Sequence, residues 1–382
     1  MKPHSGSQEQ GAQSGSFGEL DLAHSWLDGY TPAPRRFGRG AAARWRGVLE
    51  ALLVLDSPSS PDIRHSREAL VEQLLIAGVD SVVGANVAAQ LADKYQVLGI
   101  SNSVPVSIDG CETVANGDDA NAIRQLITSH RPDRIVVCQA AGDSAWNRST
   151  GRIASLAGID SARLWSRMAG ESGVPVTLIS SDAVFTGPWM FHSETCHSHC
   201  PSPQARTLRD LEESVLELCP QALVVRTHAY GWNPLAESTG WIEGIVAALE
   251  SERPGIFDCV PHATPILATD LAELLPPSWE AGLSGVYHVA GAERVNPHRF
   301  VCALARIFDL APPRASILAP VEVPSAAFGQ GETSLRTHAI HRAIGRPMPM
   351  LTEGLQRLFE QKNDGFDRRF RGGRRQATSK VA

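Results

Sequence analysis

From Leu70 onward the apolar positions alternate between two spacings. Short continuous runs, Gln73 to Ala77 (QLLIA), Gln96 to Ile100, Arg134 to Cys138 (RIVVC), Val176 to Ile179 (VTLI) and Ala222 to Val225, read as buried parallel strands. Between them lie segments of helical spacing: Ser81 to Lys94, with Val82, Val83, Val87 and Leu91 on the packing side, then Ala120 to Ser129, Ile153 to Ser172 and Leu208 to Leu218. This alternation predicts an α/β fold, a Rossmann-type doubly wound parallel sheet with helices on both faces. Before it, residues 1–18 are Gly/Ser/Gln-rich and read as disordered. Residues 19–70, with Leu20, Trp26, Trp45 and Leu49 around a basic Pro/Gly stretch, read as an N-terminal extension of one or two helices without an assignable role. Residues 361–382 are basic and read as a solvated, disordered tail.

The first strand runs into Gly78-Val-Asp-Ser81-Val-Val-Gly84, which opens a helix. A dinucleotide-binding turn needs a tight bend at the strand end, a small residue where backbone meets diphosphate, and another where helix meets sheet. Helix N-terminal N–H groups then receive the phosphate charge. Serine at the middle position is small, but its Cβ crowds the approach. The next strand ends in Ser101-Asn102-Ser103, with neither a carboxylate for a ribose 2′-OH nor an Arg for a 2′-phosphate, so NADP and NAD both stay open as the cofactor.

Further stretches follow in a recognisable order. LLIAGVDSVVG is joined by GDDANAIRQLITSHRPDRIVVCQAA, ISSDAVFTG, VVRTHAYGWNP, PILATDLAELL and GVYHVAG. Together they resemble the dTDP-4-dehydrorhamnose reductase family, extended short-chain dehydrogenases with a small C-terminal substrate-binding lobe. The most specific match is Ile179 to Gly187, similar to the family's I-S-T-D-Y-V-F-D-G. The resemblance implies a dinucleotide-binding domain over residues 71–360, its interleaved substrate lobe drawn mainly from 186–204, 232–270 and 292–345. It places Gly78, Ser81 and Gly84 on the diphosphate, Asp118 or Asp119 near the adenine, Asn102, Ala140 and Ala141 beside the cofactor, and Ser180 near the nicotinamide ribose. Ser181 matches the residue that hydrogen-bonds the substrate carbonyl, and Asp182, His192, His228 and Trp232 become substrate contacts. Asp270 is expected to cap the helix that follows it.

The chemistry of that family departs at one point. Hydride reduction of a keto sugar needs a proton donor at the developing alkoxide, a tyrosine whose phenol is activated by a nearby lysine in Y-x-x-x-K. The tyrosines here are Tyr30, Tyr95, Tyr230 and Tyr287, and their fourth followers are Pro34, Gly99, Pro234 and Gly291. The lysines are Lys2, Lys94, Lys362 and Lys380, so the central part of the chain has none. PSPQARTLRDLEE resembles the start of the family's catalytic helix and puts Ala205 at the tyrosine and Arg209 at the lysine. Arg209 can supply positive charge; alanine transfers no proton.

Composition narrows the remaining choices. The net charge of −6 gives no global attraction to nucleic acid or an anionic membrane, and no apolar run is long enough to span a bilayer. Seven scattered cysteines suit reduced thiols and a cytoplasmic address. The loop Phe191 to Cys200 gathers His192, Cys196, His197, His199 and Cys200. It reads as a polar lid, with zinc ligation by His192, Cys196, His199 and Cys200 as a weaker alternative, because such sites usually draw a second ligand pair from elsewhere. Two functions stay in play. One is an NAD(P)-dependent, dTDP-4-dehydrorhamnose reductase-like oxidoreductase acting on a nucleotide sugar. The other is a non-catalytic ligand-binding protein resembling the regulatory β-subunit of methionine adenosyltransferase, working as a homodimer or with a partner enzyme.

Overall fold

The computed structural model describes residues 71–370, apart from 103, 116–118, 148–153, 236, 252–256, 258 and 314–326. Residues 1–70, on which the disordered N-terminus and the helical extension were expected, lie outside the described residues, as does Asp118.

Seven parallel strands form the main sheet: β1 (Gln73–Ala77), β2 (Gln96–Ser101), β3 (Glu112–Ala115), β4 (Arg134–Val137), β5 (Val176–Ser181), β6 (Leu223–Thr227) and, later in the chain, β9 (Gly285–His288). Their order is β3-β2-β1-β4-β5-β6-β9, so the chain reverses direction of growth between β1 and β4. At such a switch point the carboxyl ends of the strands leave a crevice. Side chains alternate across the sheet as a period of two demands: Leu74 and Ile76 of β1 join one apolar cluster, Leu75 and Ala77 the other. Each fully buried Leu or Ile contributes about 1.5–3 kcal/mol over its exposed state.

Helices cover both faces. On the first lie α1 (Val82–Leu91) and α6 (Ala268–Glu280), through Val83, Val87, Leu271 and Leu275. The second carries α2 (Ala120–His130), α3 (Leu156–Glu171) and α4 (Pro203–Leu218), through Ile123, Trp165, Leu208 and Leu211. The helix expected from Leu208 begins at Pro203 because Ser202 caps it, its side chain accepting from Ala205 N–H, with proline in the first turn where its missing N–H costs nothing.

A short parallel pair, β7 (Ala229–Tyr230) with β8 (Ile266–Leu267), stands beyond the main sheet. Around it gather α5 (Trp241–Glu250), α7 (Pro297–Ile307), α8 (His338–Ile344) and α9 (Leu351–Asp364). Phe300 is their hub, with ring centroids of Tyr230 and Trp241 at 5.0 and 5.2 Å.

Two expectations need correction. Asp270 does not cap α6; the cap position is Leu267, and Asp270 sits in the first turn holding Arg357 through two contacts of 2.6 Å. The tail does not become disordered at 361: α9 continues to Asp364, a 3-10 turn spans Phe366–Phe370, and Phe370 is buried in the core. Burial of Phe370 supplies the ordering that its basic neighbours concealed, and Arg369 closes the turn onto Asp93 at 3.1 Å. Residues 371–382 lie outside the described part.

Candidate functional site

The nucleotide end of the crevice is the turn from β1 to α1. Gly78 ends the strand, its N–H donating to Ile100 O at 2.8 Å. Ser81 is the N-cap of α1: its hydroxyl accepts from Gly84 N–H at 3.1 Å and donates to Gly78 O at 2.7 Å. A Cβ on Gly84 would lie 2.2 Å from Gly78 O, so only glycine lets helix and turn meet there. The preceding amide, Val83 N–H, donates to Gly142 O at 2.7 Å. A Cβ on Gly142 would fall 2.2 Å from Ser81 Cβ, so the two chains are in closest possible contact. Amides of the second and third helical positions are what a helix N-terminus offers an anion. Here both are satisfied from within the chain. Asp80, 9 % exposed in the same turn, adds a carboxylate that opposes a diphosphate. In this arrangement the turn offers a diphosphate neither the Val83 nor the Gly84 amide.

The other expected cofactor contacts are also engaged internally. Asn102 donates to Ser161 Oγ on α3. Asp119 caps α2, accepting from Ala122 N–H at 2.9 Å. Ala140 and Ala141 are buried, and Ala140 O accepts from Ala154 N–H at 2.8 Å. Gln139 differs: its amide N and O are both buried without a hydrogen-bond partner.

Beyond Ala141, the segment Gly142–Asn147 runs into the crevice, and Asp143, Ser144, Trp146 and Asn147 are all buried. Ser144 Oγ lies 2.8 Å from His228 Nε2, and His228 Nδ1 lies 2.9 Å from Asp182 Oδ2. Asp182 also accepts from the hydroxyls of Thr333 and Ser181. A carboxylate that only accepts fixes the imidazole with its proton on Nδ1, so Nε2 accepts from the serine hydroxyl. Trp146 packs its ring 4.4 Å from His228 and within 6.2 Å of Phe300. Ala145 meets the C-terminal part, since a Cβ on Gly329 would lie 2.8 Å from Ala145 Cβ. The segment is a wedge, joined to α1 at one end and to the ends of β5 and β6 at the other.

The expected catalytic positions have structural duties. Ser180 donates to Glu212, whose carboxylate takes Arg226 through contacts of 3.1 and 2.6 Å. Arg226 lies 5.0 Å over the Phe185 ring. Ser181 caps the 3-10 turn Asp182–Val184, accepting from Ala183 N–H at 3.1 Å. Ala205 is buried in the first turn of α4, and Arg209 donates to Cys200 O at 3.2 Å. Of the described tyrosines, Tyr230 is buried against Phe300, its phenol pushed well up by burial, and Tyr95 packs edge-on to Trp279. Trp232 points into the second lobe, its indole donating to Gln361 at 3.1 Å.

The His/Cys loop after β5 is pinned at many points. His192 N–H donates to Ser334 O, and His192 O accepts from Arg336 N–H, both at 2.8 Å. The His192 ring stacks on Phe185 at 4.7 Å, and burial holds its pKa below the ordinary value. His199 is likewise lowered, first by burial and then by Arg209 and Arg226. Cys200 is buried. Among the described residues no group of three or more His, Cys, Asp and Glu is placed to hold a metal ion.

Residues 72–363 match the family described as the RmlD substrate binding domain. The chain belongs to that family. Among curated relatives, it is 25% identical to methionine adenosyltransferase 2 subunit beta of Xenopus laevis, over 62% of this chain and 72% of the relative. It is 22% identical to dTDP-4-dehydrorhamnose reductase of Salmonella typhimurium, over 75% and 97%. Its fold matches a solved dTDP-4-dehydrorhamnose reductase from Bacillus anthracis in complex with NADP, with a TM-score of 0.62, 19% identity, and 76% and 100% of the two chains covered. Membership in the RmlD family and the Rossmann-type sheet agree with the sequence resemblance.

Ser144, Thr333, Gly142 and Glu212 were not singled out from the sequence. Glu212 alone left a signal: it sits at helical spacing between Leu208 and Val215, on the buried side of α4. The others act through contacts between distant segments, which no local spacing encodes.

Proposed function

We propose that this chain is a non-catalytic member of the RmlD family, a binding and accessory protein that keeps the reductase frame without transferring hydride. The observation that carries this reading is the wedge: Gly142 O occupies the Val83 amide and Ser144 occupies His228, so one internal segment fills both ends of the ligand crevice. The absent Tyr-x-x-x-Lys pair supports it, since loss of one general acid alone costs about 10²–10⁴ in rate. A relative named as a subunit of methionine adenosyltransferase is a precedent for this frame serving beside another enzyme.

A second reading is a nucleotide-sugar reductase with rearranged acid–base groups. The reductase relatives favour it, and Ser144–His228–Asp182 is a hydrogen-bonded chain along which a proton could be handed on. An assay of NADPH and NADH oxidation with a dTDP-4-keto sugar separates the two. The non-catalytic reading expects no substrate-dependent oxidation. Turnover that disappears in His228→Asn would establish the reductase instead.

A further inference from the structure

Six of the seven cysteines have surroundings that quiet a thiol or leave it without a base beside it. Burial pushes Cys138 up to about 12 and Cys111 up to about 11. Cys219 is raised by burial and donates to Ser166 O, and Cys200 is buried with its thiol toward Ser202 Oγ. Cys302 is raised by burial and stands 3.6 Å from His298 Nε2. Cys259 is exposed, its nearest recorded acceptor being Phe257 O at 4.0 Å.

Cys196 is different. The residue is half-buried, and its Sγ lies 3.2 Å from His192 Nδ1. The other ring nitrogen, Nε2, lies 3.0 Å from Glu332 O. A carbonyl oxygen only accepts, so Nε2 carries the proton and Nδ1 presents its lone pair to the thiol. Burial keeps the imidazole in the neutral form that can act as a base, while the Glu332 and Asp182 carboxylates favour the imidazolium once a proton arrives. On its other side the sulfur receives Ser198 N–H at 3.4 Å, a donor that supports a thiolate. The base cannot swing away, because His192 is fixed by its own N–H, by its carbonyl, which also accepts from His288 Nδ1 at 3.0 Å, and by the Phe185 stack.

We propose that Cys196, with His192 as its base, is a nucleophilic thiol site at which the protein exchanges with small disulfides. Cys196 sulfur attacks one sulfur of the disulfide, forming the protein–small-molecule S–S bond as the original S–S bond breaks. The Cys196 proton passes to His192 Nδ1 and then to the departing thiolate, which leaves as a thiol. The small disulfide is the oxidant and is reduced by one thiol equivalent; Cys196 is oxidised to the mixed disulfide. Neither the crevice nor the family's hydride chemistry takes part, so the proposal stands apart from the non-catalytic reading.

The test treats the full-length reduced protein with oxidised glutathione, quenches with acid at intervals and maps each cysteine by peptide mass spectrometry. Cys196 is expected to react at least about tenfold faster than the more exposed Cys259, a fraction of what general-base assistance can supply. His192→Gln keeps a donor for Glu332 O but removes the base, and should slow Cys196 about tenfold while Cys259 is unchanged. Iodoacetamide should give the same ranking, since the activation belongs to the thiol rather than the disulfide. A Cys196 rate at or below that of Cys259 overturns the proposal, as does a folded His192→Gln protein whose Cys196 reacts as before. If that variant does not fold, the wild-type ranking decides alone.

Discussion

Two segments leave neighbouring strands at the carboxyl end of the sheet and meet the rest of the chain in opposite ways. Gly142–Asn147, after β4, turns its polar groups inward, onto Val83, His228 and Trp146's own amide, and is buried except at the half-buried Ala145. Gly187–Cys200, after β5, is pinned by its backbone to Ser334 and Arg336 yet holds Trp189 and Met190 out at 69 % and 58 % exposure, and carries the half-buried Cys196. Both are rigid for the same reason, hydrogen bonds to distant segments. The inward segment uses them to hold α1 and His228; the outward one uses them to fix His192 beside Cys196. The contrast sets a segment that closes on its own neighbours against one that carries side chains out to solvent.

Beneath the outward segment lies the buried pair of Arg226 and Glu212, under Phe185 and reaching Ser180. Glu212→Ala leaves a buried guanidinium unpaired and should cost about 3–5 kcal/mol in chemical denaturation, blurring the contrast by loosening the support beneath Phe185. Gly142→Ala acts on the inward segment alone. Its Cβ would lie 2.2 Å from Ser81 Cβ and 2.9 Å from Cys138 O, so a loss of about 1–3 kcal/mol is expected, part of it recovered when Ser81→Gly is added, since glycine at an N-cap costs only a few tenths. Full loss in the double variant would show that the two segments are not limited by their meeting at Ser81.

The outward segment is sharpened by pH. His288 holds His192 O, and burial, followed by the Arg226 charge, lowers its pKa from 6.5 to about 3. The folded protein therefore refuses a proton that the unfolded chain accepts. The neutral-His contribution is fully present above about pH 6.5 and is lost as pH falls towards 3, at up to about 1.4 kcal/mol per pH unit. His192 and His199 are shifted in the same direction. His288→Asn should flatten this acid limb of the stability profile; an unchanged slope would mean that His288 is not buried neutral.

The strands were legible because buried parallel strands are short apolar runs: Gln73–Ala77 falls where the sequence put it, and Ser81 caps the helix that its spacing opened. The missing Tyr-x-x-x-Lys pair was equally plain, since a count of lysines needs no alignment. What stayed hidden was the use of each site residue. The sequence offered Ser81 as a phosphate contact and Ser180 and Ser181 as ribose and substrate contacts; it did not show that Ser81 caps a helix, that Ser180 donates to Glu212 or that Ser181 caps the Asp182 turn. A serine hydroxyl suits a ligand or a backbone amide equally well, and only the approach of a distant segment decides between them. Ser144, 84 residues from His228, is the extreme case.

The occupied crevice is tested most directly by isothermal calorimetry of the full-length protein with NADPH and with NADH. With Gly142 and Ser81 holding the helix amides, neither coenzyme should give saturable heat up to millimolar concentration. A one-to-one isotherm with either would contradict the internal occupation of that site, because the coenzyme would have displaced the wedge.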